Sequence, residues 1–576
     1  MGDVNGDGFA DVIATDYAYD NGETDEGGAS VYYGSASGLS ATADWVAEGN
    51  QTSGRYGFAA SSAGDVNGDG FGDVIASAAW YDGAFTSGGK AWVYHGSPAA
   101  PSTASFWTTE SNQSSAELGY SVATAGDVNG DGYADIVVGA RKYDNSETDE
   151  GKAFVFHGSA TGPQATEDWS VESNQDSALL ASSVATAGDV NGDGYADLIV
   201  GAANDAYVFH GSATGLAATA AWTASSGQAG SSFGTSVASA GDVNGDGYVD
   251  VIVGAYTYDN GETDEGRAYV YLGSAAGLAA SPAWVTESDQ STAYFGYSVA
   301  GAGDVNGDGY SDVIVGAYQH DGGLTDEGRA FVYYGSATGL ATTPAWTVDS
   351  DTANAHFGVS VAGAGDVNGD GFSDAIVGAR KYNTWDGRAY VYYGSAGGLS
   401  TAPDWQQSPA LTGHFGISVA TAGDVNGDGY ADVIVGAKNE YNGETSEGLA
   451  RVYLGSVTGL STSAGWTGEE NLSFAYYGTP WRPPVTSTET GSQISSLART
   501  ARVICSTKGA RISILETATA TPATFRSSCE ATMETRCSRS GLLARALACR
   551  SSRAAPRGAR ASSCSGRSSR LAPPST

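Results

Sequence analysis

The chain has 576 residues, of which 65 are acidic and 27 are basic, so its formal net charge is −38. A charge of this sign and size opposes binding to nucleic acid, because phosphates are recognised by basic surfaces. No apolar run reaches the roughly 20 residues that a membrane-spanning helix needs, so we predict no membrane span.

A nine-residue motif, D-V-N-G-D-G-[FY]-x-D, recurs eight times, at intervals of 53 to 62 residues. A repeated period of this size predicts a repeat architecture, in which each unit folds against its neighbours. The copies open at Asp3, Asp65, Asp127, Asp189, Asp242, Asp304, Asp366 and Asp424.

Each copy has the oxygen-ligand spacing of an EF-hand loop. In the third copy Asp127, Asn129 and Asp131 lie at positions 1, 3 and 5, Tyr133 offers a backbone carbonyl at 7, and Asp135 lies at 9. Carboxylate-rich ligation of irregular geometry favours Ca²⁺ over Mg²⁺. The nine-residue motif contains no Cys or His in any copy, which disfavours zinc and copper. An apolar strand pattern follows each loop instead of a helix, so the loop is predicted to join two strands.

We therefore predict up to eight Ca²⁺ sites, and no catalytic residues. The candidate metal ligands are Asp3, Asn5, Asp7, Phe9, Asp11, Asp65, Asn67, Asp69, Phe71, Asp73, Asp127, Asn129, Asp131, Tyr133, Asp135, Asp189, Asn191, Asp193, Tyr195, Asp197, Asp242, Asn244, Asp246, Tyr248, Asp250, Asp304, Asn306, Asp308, Tyr310, Asp312, Asp366, Asn368, Asp370, Phe372, Asp374, Asp424, Asn426, Asp428, Tyr430 and Asp432.

The unit that begins at Phe295 illustrates the strands predicted in each repeat. An alternating segment, 295–300, precedes the loop, and the apolar run 313–317 follows it. A polar loop leads to the β-branched and aromatic segment 329–335, and the unit ends near Trp346. Four short strands per period without helical spacing are typical of a propeller blade.

One Trp closes each unit. Because these residues recur at one position of the blade, we favour a structural role, sealing the gap between neighbouring blades, over sugar-stacking platforms. They are Trp45, Trp107, Trp169, Trp222, Trp284, Trp346, Trp405 and Trp466.

Phe-Gly or a variant of it before the loop, and Val-Gly-Ala after it, resemble the FG-GAP repeat over residues 1 to about 479. The Phe-Gly pairs are Phe233-Gly234, Phe295-Gly296, Phe357-Gly358 and Phe415-Gly416, and the variants are Tyr56-Gly57 and Leu118-Gly119. FG-GAP repeats build the N-terminal β-propeller of integrin α subunits and occur in many bacterial secreted proteins. The resemblance implies metal hairpins on one face of the propeller and ligand-binding loops on the opposite face.

Three features depart from the family pattern. Gly-Ala-Pro becomes Gly-Ala followed by Tyr, Arg, Ala or Lys, and every unit carries the metal loop, whereas family members usually carry it in some blades only. Leu180-Ala181 replaces Phe-Gly in one copy, where we expect looser packing.

The predicted fold class is all-β, a β-propeller of four-stranded antiparallel blades. The family resemblance favours seven blades. The arithmetic also allows eight, if a stub at 476–479 completes the first unit, which lacks its inner strand. Because the chain starts inside a metal loop, we expect its start to be truncated, so the lack of a signal peptide carries no weight.

Composition changes abruptly near residue 479. Residues 1–479, the predicted propeller domain, hold 12 basic and 61 acidic residues, whereas 480–576 hold 15 basic and 4 acidic residues and all five Cys. Residues 480–494 can be back-translated so that a shifted frame reads V-A-T-A-G-D-V-N-G-D-G-F-A-D, a ninth copy of the motif. We therefore predict that 480–576 is a frameshifted, disordered tail; sequencing the DNA tests this.

An acidic loop, Asp20–Gly27, recurs between the second and third strands of several units. Solvated Asn-Gly turns explain it, and an acidic rim that binds cationic groups or a shared cation is the alternative. His95, His157 and His210 end third strands, where other copies have Tyr or Leu, and are interpreted as aromatic substitutes.

The predicted function is a calcium-binding, non-catalytic propeller for cell adhesion or for binding a protein or carbohydrate ligand on the face opposite the metal loops. An extracellular or cell-surface location is expected, because millimolar calcium suits such weak, three-carboxylate loops. The alternative is an accessory propeller of a secreted hydrolase whose catalytic domain lies outside this chain.

Overall fold

The computed structural model describes residues 2–98, 101, 104–409, 413–441, 446, 448–469, 499–504 and 513–518. The backbone separates into two compact units, Met1–Thr490 and Gly491–Thr576. Among the described residues, no helix has the length and apolar character to cross a membrane.

The first unit consists of eight antiparallel sheets, each formed by strands that are consecutive in the chain. Sheets one to four comprise β1 (Val12–Asp16), β2 (Gly28–Tyr32) and β3 (Trp45–Glu48); β4 (Ala59–Gly64), β5 (Asp73–Ala78), β6 (Lys90–Tyr94) and β7 (Trp107–Glu110); β8 (Leu118–Gly126), β9 (Asp135–Ala140), β10 (Lys152–Phe156) and β11 (Trp169–Glu172); β12 (Ser183–Gly188), β13 (Asp197–Gly201), β14 (Asp205–Phe209) and β15 (Trp222–Ser225).

Sheets five to eight comprise β16 (Phe233–Gly241), β17 (Asp250–Ala255), β18 (Arg267–Tyr271) and β19 (Trp284–Glu287); β20 (Phe295–Gly303), β21 (Asp312–Ala317), β22 (Arg329–Tyr333) and β23 (Trp346–Asp349); β24 (Phe357–Gly365), β25 (Asp374–Ala379), β26 (Arg388–Tyr392) and β27 (Trp405–Gln407); β28 (Phe415–Gly423), β29 (Asp432–Ala437), β30 (Leu449–Tyr453) and β31 (Trp466–Gly468). One short helical turn, α1 (Tyr382–Trp385), precedes β26.

The first strands of neighbouring sheets contact one another from β4 round to β28, so they surround the central axis. The second strands are buried along their length, as in β21, because each lies between two sheets. Their apolar Val-Ile-Val runs match that environment. The chain runs back and forth, so the loops before the second strands lie on one face and those after them on the other.

Glycine allows the sheets to approach closely. A Cβ on Gly378, in the Val-Gly-Ala segment of the seventh sheet, would overlap the carbonyl oxygen of Gly416, in the Phe-Gly segment of the eighth. The two segments that define the repeat therefore meet across the boundary between sheets. Leu180 and Ala181 are both buried, and the looser packing expected there stays a prediction.

The closing Trp residues join the sheets, as predicted. Each indole meets an aromatic ring at the end of the next sheet's third strand, or of β2 in the three-stranded first sheet, edge to face, with ring centroids 4.5–4.8 Å apart. Trp466 of the eighth sheet meets Tyr32 of the first, at 4.5 Å, and its Nε1 donates to the Ser40 carbonyl at 2.9 Å. The ring is therefore closed with eight blades, the larger of the two counts that the sequence allows.

The all-β propeller is confirmed, and the first sheet has three strands among the described residues. The stub expected at 476–479 lies outside the described residues. Within the tail, β32 (Arg499–Ile504) and β33 (Ser513–Ala518) pair antiparallel. The rest of 480–576, including the five Cys, lies outside the described residues, so disorder there stays a prediction.

Candidate metal centres

Each copy of the nine-residue motif forms a tight loop, called here a candidate metal loop, directly before a second strand. In the sixth copy the Asp304 carboxylate accepts hydrogen bonds from the backbone N–H groups of residues 307–309, at 2.6–3.1 Å. Asn306 Oδ1 accepts from the Asp308 N–H at 2.9 Å, and Asp308 Oδ1 accepts from the Tyr310 N–H at 3.1 Å. These bonds fix the side chains at positions 1, 3 and 5 on the loop.

The ninth residue of each loop is a buried aspartate. Asp312 is fully buried and accepts two backbone hydrogen bonds, from Val305 N at 2.9 Å and Gly335 N at 2.8 Å. Burial raises the pKa of Asp312 to about 7; the two hydrogen bonds oppose the rise, and the charges of Asp304 and Asp308 add to it. A buried carboxylate beside two others is an environment that a bound cation would relieve.

The same arrangement recurs in all eight loops. Burial is the largest cause of the raised pKa of each ninth residue, which reaches about 6 in the first loop and about 7 in the others. These residues are Asp11, Asp73, Asp135, Asp197, Asp250, Asp312, Asp374 and Asp432.

The donors in each loop fit a hard cation, because all five are carboxylate, amide or backbone carbonyl oxygens. All forty predicted ligands are described, and each loop places them equivalently; their role as ligands stays a prediction. Among the described residues, the one group of three acidic side chains with oxygens within 4.8 Å of one another is Glu265, Glu287 and Asp289, outside the loops. Chelation in a loop therefore requires the carboxylates at positions 1 and 5 to turn towards position 9.

The loops also contact one another, which the sequence analysis missed. A Cβ on Gly245, at position 4 of the fifth loop, would lie 2.6 Å from Cε1 of Tyr310, at position 7 of the sixth. Ser311 N donates to the Asp242 carbonyl at 2.9 Å, and Ser336 N donates to the Val243 carbonyl at 3.0 Å. The ring-on-glycine contact recurs between all eight neighbouring loops and closes from Gly427 to Phe9. The aromatic residue at position 7 of every copy was the available signal.

The three histidines that end third strands lie on this same face. His95 stacks on Phe106, with centroids 3.9 Å apart, and its Nδ1 lies 3.0 Å from the amide nitrogen of Asn67. Rings of His157 and His210 lie against Gly215 and Gly277 of the next sheets. Tyr334 and Tyr393 lie against Gly398 and Gly459 in the same way, which supports the interpretation of these histidines as aromatic substitutes.

On the opposite face, the charged side chains of the acidic loops between second and third strands form hydrogen bonds within their own sheet. In the fifth sheet Glu265 is buried and accepts from the Asn260 N–H, while the Asn260 amide donates to Glu287 at 2.6 Å. Arg267 Nε donates to Glu287 at 2.6 Å, and Asp264 N donates to the Asp259 carboxylate at 2.6 Å. This favours the structural reading of these loops over an open acidic rim.

Comparison with known proteins agrees with this architecture. The FG-GAP repeat model matches residues 57–94, 118–156, 180–215, 233–271, 295–333, 357–392 and 415–454. Similar proteins include integrin alpha-4 of Xenopus laevis, 35% identical over 149 residues (25% of this chain, 14% of that protein). Integrin alpha-IIb of Mus musculus is 38% identical over 159 residues (26% and 15%), and integrin alpha-7 of Homo sapiens is 39% identical over 154 residues (26% and 12%).

The matched segments are thus a small part of each integrin. Among solved structures, the exotype rhamnogalacturonan lyase YesX aligns with a TM-score of 0.34 and 13% identity, over 78% of this chain and 76% of that one. A TM-score this low carries no argument about fold or activity. The repeat matches, the integrin similarity and the ring of sheets together identify the chain as an FG-GAP repeat protein with an integrin-α-like propeller.

Proposed function

We propose that this chain is a calcium-stabilised, extracellular, non-catalytic propeller that binds a protein or carbohydrate ligand on the face opposite the candidate metal loops. The observation that carries the calcium assignment is the buried aspartate at the ninth position of every loop, whose two neighbouring carboxylates raise its pKa further. Eight such clusters leave a large unbalanced negative charge on one face.

Within a loop, Asp304, Asn306, Asp308 and Asp312 would hold the ion through side-chain oxygens and Tyr310 through its carbonyl. Bound calcium would supply the positive charge that lets these carboxylates stay ionised together. Asp304 and Asp308 would turn towards Asp312, whose carboxylate is already held by the backbone N–H groups of Val305 and Gly335. Because the loop joins the first two strands of its sheet, neutralising it stabilises the hairpin.

The test is thermal unfolding with calcium, with magnesium, and in EDTA after verified metal removal. A ligand that binds only the folded state stabilises by about 2.7 kcal/mol per site at a hundredfold excess over Kd. We expect a large calcium-dependent rise in Tm, a smaller one with magnesium, and a broadened transition in EDTA. An unchanged melt in EDTA would contradict the proposal.

The loss of one site is a sharper version of the same test. Asp131→Ala should lower the calcium stoichiometry by one, measured by isothermal titration calorimetry, with the other sheets still folded. Asp144→Ala, in the acidic loop of the same sheet, is the matched control and should leave the stoichiometry unchanged. A stoichiometry unaltered by Asp131→Ala would remove that loop from the set of sites.

The proposed location and partners rest on fewer observations. Calcium at millimolar concentration outside cells suits loops with three carboxylates each. Integrin α subunits resemble about a quarter of the chain, so an adhesive role extends that likeness. A binding screen that detects ligand only through the metal-loop face would contradict the assignment of the opposite face.

A further inference from the structure

The seventh sheet departs from the repeat on the face opposite the candidate metal loops. Its loop between second and third strands, 380–387, is three residues shorter than the corresponding 318–328 of the sixth sheet and lacks the acidic run. Asn383, Thr384 and Trp385 have φ values of 50°, 60° and 84°. Three successive non-glycine residues in the left-handed region are costly, about 1–3 kcal/mol each, and such strain concentrates at functional sites.

The strained turn presents an exposed tryptophan held by the next sheet. Trp385 is 47% exposed, and its ring stacks on His414 with centroids 4.9 Å apart and an interplanar angle of 29°. The Trp385 carbonyl accepts from the N–H groups of Gly413 and His414, both at 2.9 Å. Lys381 Nζ lies 4.7 Å from the ring centroid. The indole is therefore oriented before any ligand arrives.

Cations gather beside this tryptophan. Arg380 lies 3.2 Å from His356 Nδ1, through Nη2, and stands over the Tyr318 ring. Neither Arg380 nor Lys381 belongs to an ion pair in the part of the chain that the structure describes. The acid whose charge acts on Lys381 is Asp326, across the boundary with the sixth sheet.

The third sheet shows what a neutralised version of this site looks like. Arg141 and Lys142 occupy the positions of Arg380 and Lys381, directly after Gly-Ala. Both pair with Glu117, at 2.6 and 2.9 Å. The residue equivalent to Glu117, immediately before the Phe-Gly segment, is His356 in the seventh sheet. Replacing the acid by histidine leaves the Arg-Lys pair without its carboxylate.

His356 and His414 stay neutral because burial and these positive charges disfavour their protonation. Burial, and then the charges of Arg380 and Lys381, lower the pKa of His356 to about 3. Burial, and then Arg380, Lys438 and Lys381, lower the pKa of His414 to about 4. The cluster is thus positive through its Arg and Lys side chains, on a chain with a formal net charge of −38.

We propose that Arg380, Lys381, Trp385, His356 and His414 form a binding site for an acidic saccharide. The carboxylate of a uronic acid residue pairs with Arg380 and Lys381, and the flat face of its sugar ring packs on Trp385. Arginine binds carboxylates through paired N–H donors, and an exposed indole offers a planar apolar surface. The loop presents no free strand edge, which disfavours an extended peptide. This inference rests on the proposed ligand-binding function and names its ligand class.

The test is calorimetric titration at one fixed free calcium concentration with tetragalacturonate, with a neutral glucose tetramer, and with tetraglutamate. We expect only tetragalacturonate to bind. Arg380→Gln and Trp385→Ala should each weaken that binding roughly tenfold or more, as truncation of a central contact residue does. Arg141→Gln, the matched change in the third sheet, should have no effect. All three variants should keep the circular dichroism spectrum and calcium-dependent melt of the parent.

A second readout separates contact from a structural role. A bound carboxylate offsets the positive charges that act on His414. The pKa of His414, followed by NMR, should therefore rise towards the usual range on adding tetragalacturonate and should not change with the neutral tetramer. Equal binding of the neutral tetramer, equal binding of tetraglutamate, or binding indifferent to Arg380→Gln would each overturn the assignment. None of these outcomes bears on thermal unfolding in EDTA, so the calcium proposal is tested independently of this one.

Discussion

The joint between the eighth and first sheets closes the ring, and we expect Trp466→Ala to open it. The Trp466 ring meets Tyr32 edge to face at 4.5 Å, and its Nε1 donates to the Ser40 carbonyl at 2.9 Å. These residues are more than 400 positions apart in the chain. Removing the indole deletes a contact that no local chain connection replaces.

The size of the effect follows from burial. Truncating a buried Trp to Ala costs about 3–5 kcal/mol, and this figure includes the cavity left behind. Leaving the Ser40 carbonyl unpaired adds about 1 kcal/mol. Against a total stability of about 5–15 kcal/mol for a folded domain, this is a large fraction. Trp466→Phe keeps most of the ring and removes the N–H, so we expect it to cost about 1–2 kcal/mol.

Urea unfolding measures the loss of unfolding free energy, and limited proteolysis detects opening of the first sheet. Trp346→Ala is the matched control: its ring meets Tyr392 at 4.8 Å and its Nε1 bonds the Ser400 carbonyl at 2.7 Å. That joint is also held by contacts between β20 and β24. We expect similar losses of unfolding free energy, but early proteolysis in the first sheet only for Trp466→Ala. A loss below about 1 kcal/mol with unchanged proteolysis would show that the ring does not close through this joint.

Three further changes test other parts of the molecule. Tyr310→Ala keeps the carbonyl of residue 310 but removes the ring that covers Gly245, so calcium titration should show weaker binding in two adjacent loops; weakening in one loop would refute the coupling. Burial, and then Arg329, lower the pKa of His320 to about 4, so folding stability present above pH 6.5 is lost as the pH falls towards 4, by up to about 3 kcal/mol. His320→Phe should flatten this part of the acid-unfolding curve, and an unchanged curve would contradict the shift. Gly378→Ala should cost about 3 kcal/mol or more in urea unfolding, whereas Gly397→Ala, whose Cβ would make only an ordinary contact with Ser395 Oγ at 3.7 Å, should cost less than about 1 kcal/mol; equal costs would count against the close sheet contact.

Strands, loops and closing tryptophans could be predicted because each depends on a local pattern. The apolar run of β21 predicts a strand buried on both faces, and the structure buries it fully. The ligand spacing of Asp304 to Asp312 predicts a tight loop, and its backbone hydrogen bonds form one. The position of Trp346 at the end of a unit predicts an outer seal, which its contact with Tyr392 provides.

The blade count could not be fixed from the sequence, because it depends on which distant surfaces meet. Both seven and eight units satisfy the spacing, and contacts between the eighth and first sheets decide between them, such as those of Trp466 with Tyr32 and of Gly427 with Phe9. The contacts between loops were hidden for the same reason. The aromatic at position 7 is visible in every copy, but its partner is a glycine about 65 residues earlier in the chain.

The cluster around Trp385 was also out of reach of the sequence alone. Its signal was present, since the seventh unit lacks the acidic run of Asp20–Gly27. Its meaning depends on Arg380 facing His356 where Arg141 faces Glu117; the sequence aligns these positions, but only the structure shows that the side chains meet.

The two faces of the propeller obey different constraints, and this explains where the repeat varies. On the loop face, the aromatic ring at position 7 lies on the preceding loop and the ninth residue bonds its own sheet, so a change at either position disturbs a neighbour. On the opposite face, the residue after Gly-Ala is Tyr, Arg or Lys in five sheets and Ala203 in the fourth. A side chain at this position lies in a connecting loop and takes no part in strand pairing, so its chemistry can change while the fold is kept. Ligand recognition is therefore expected where the repeats disagree, as they do in the seventh sheet.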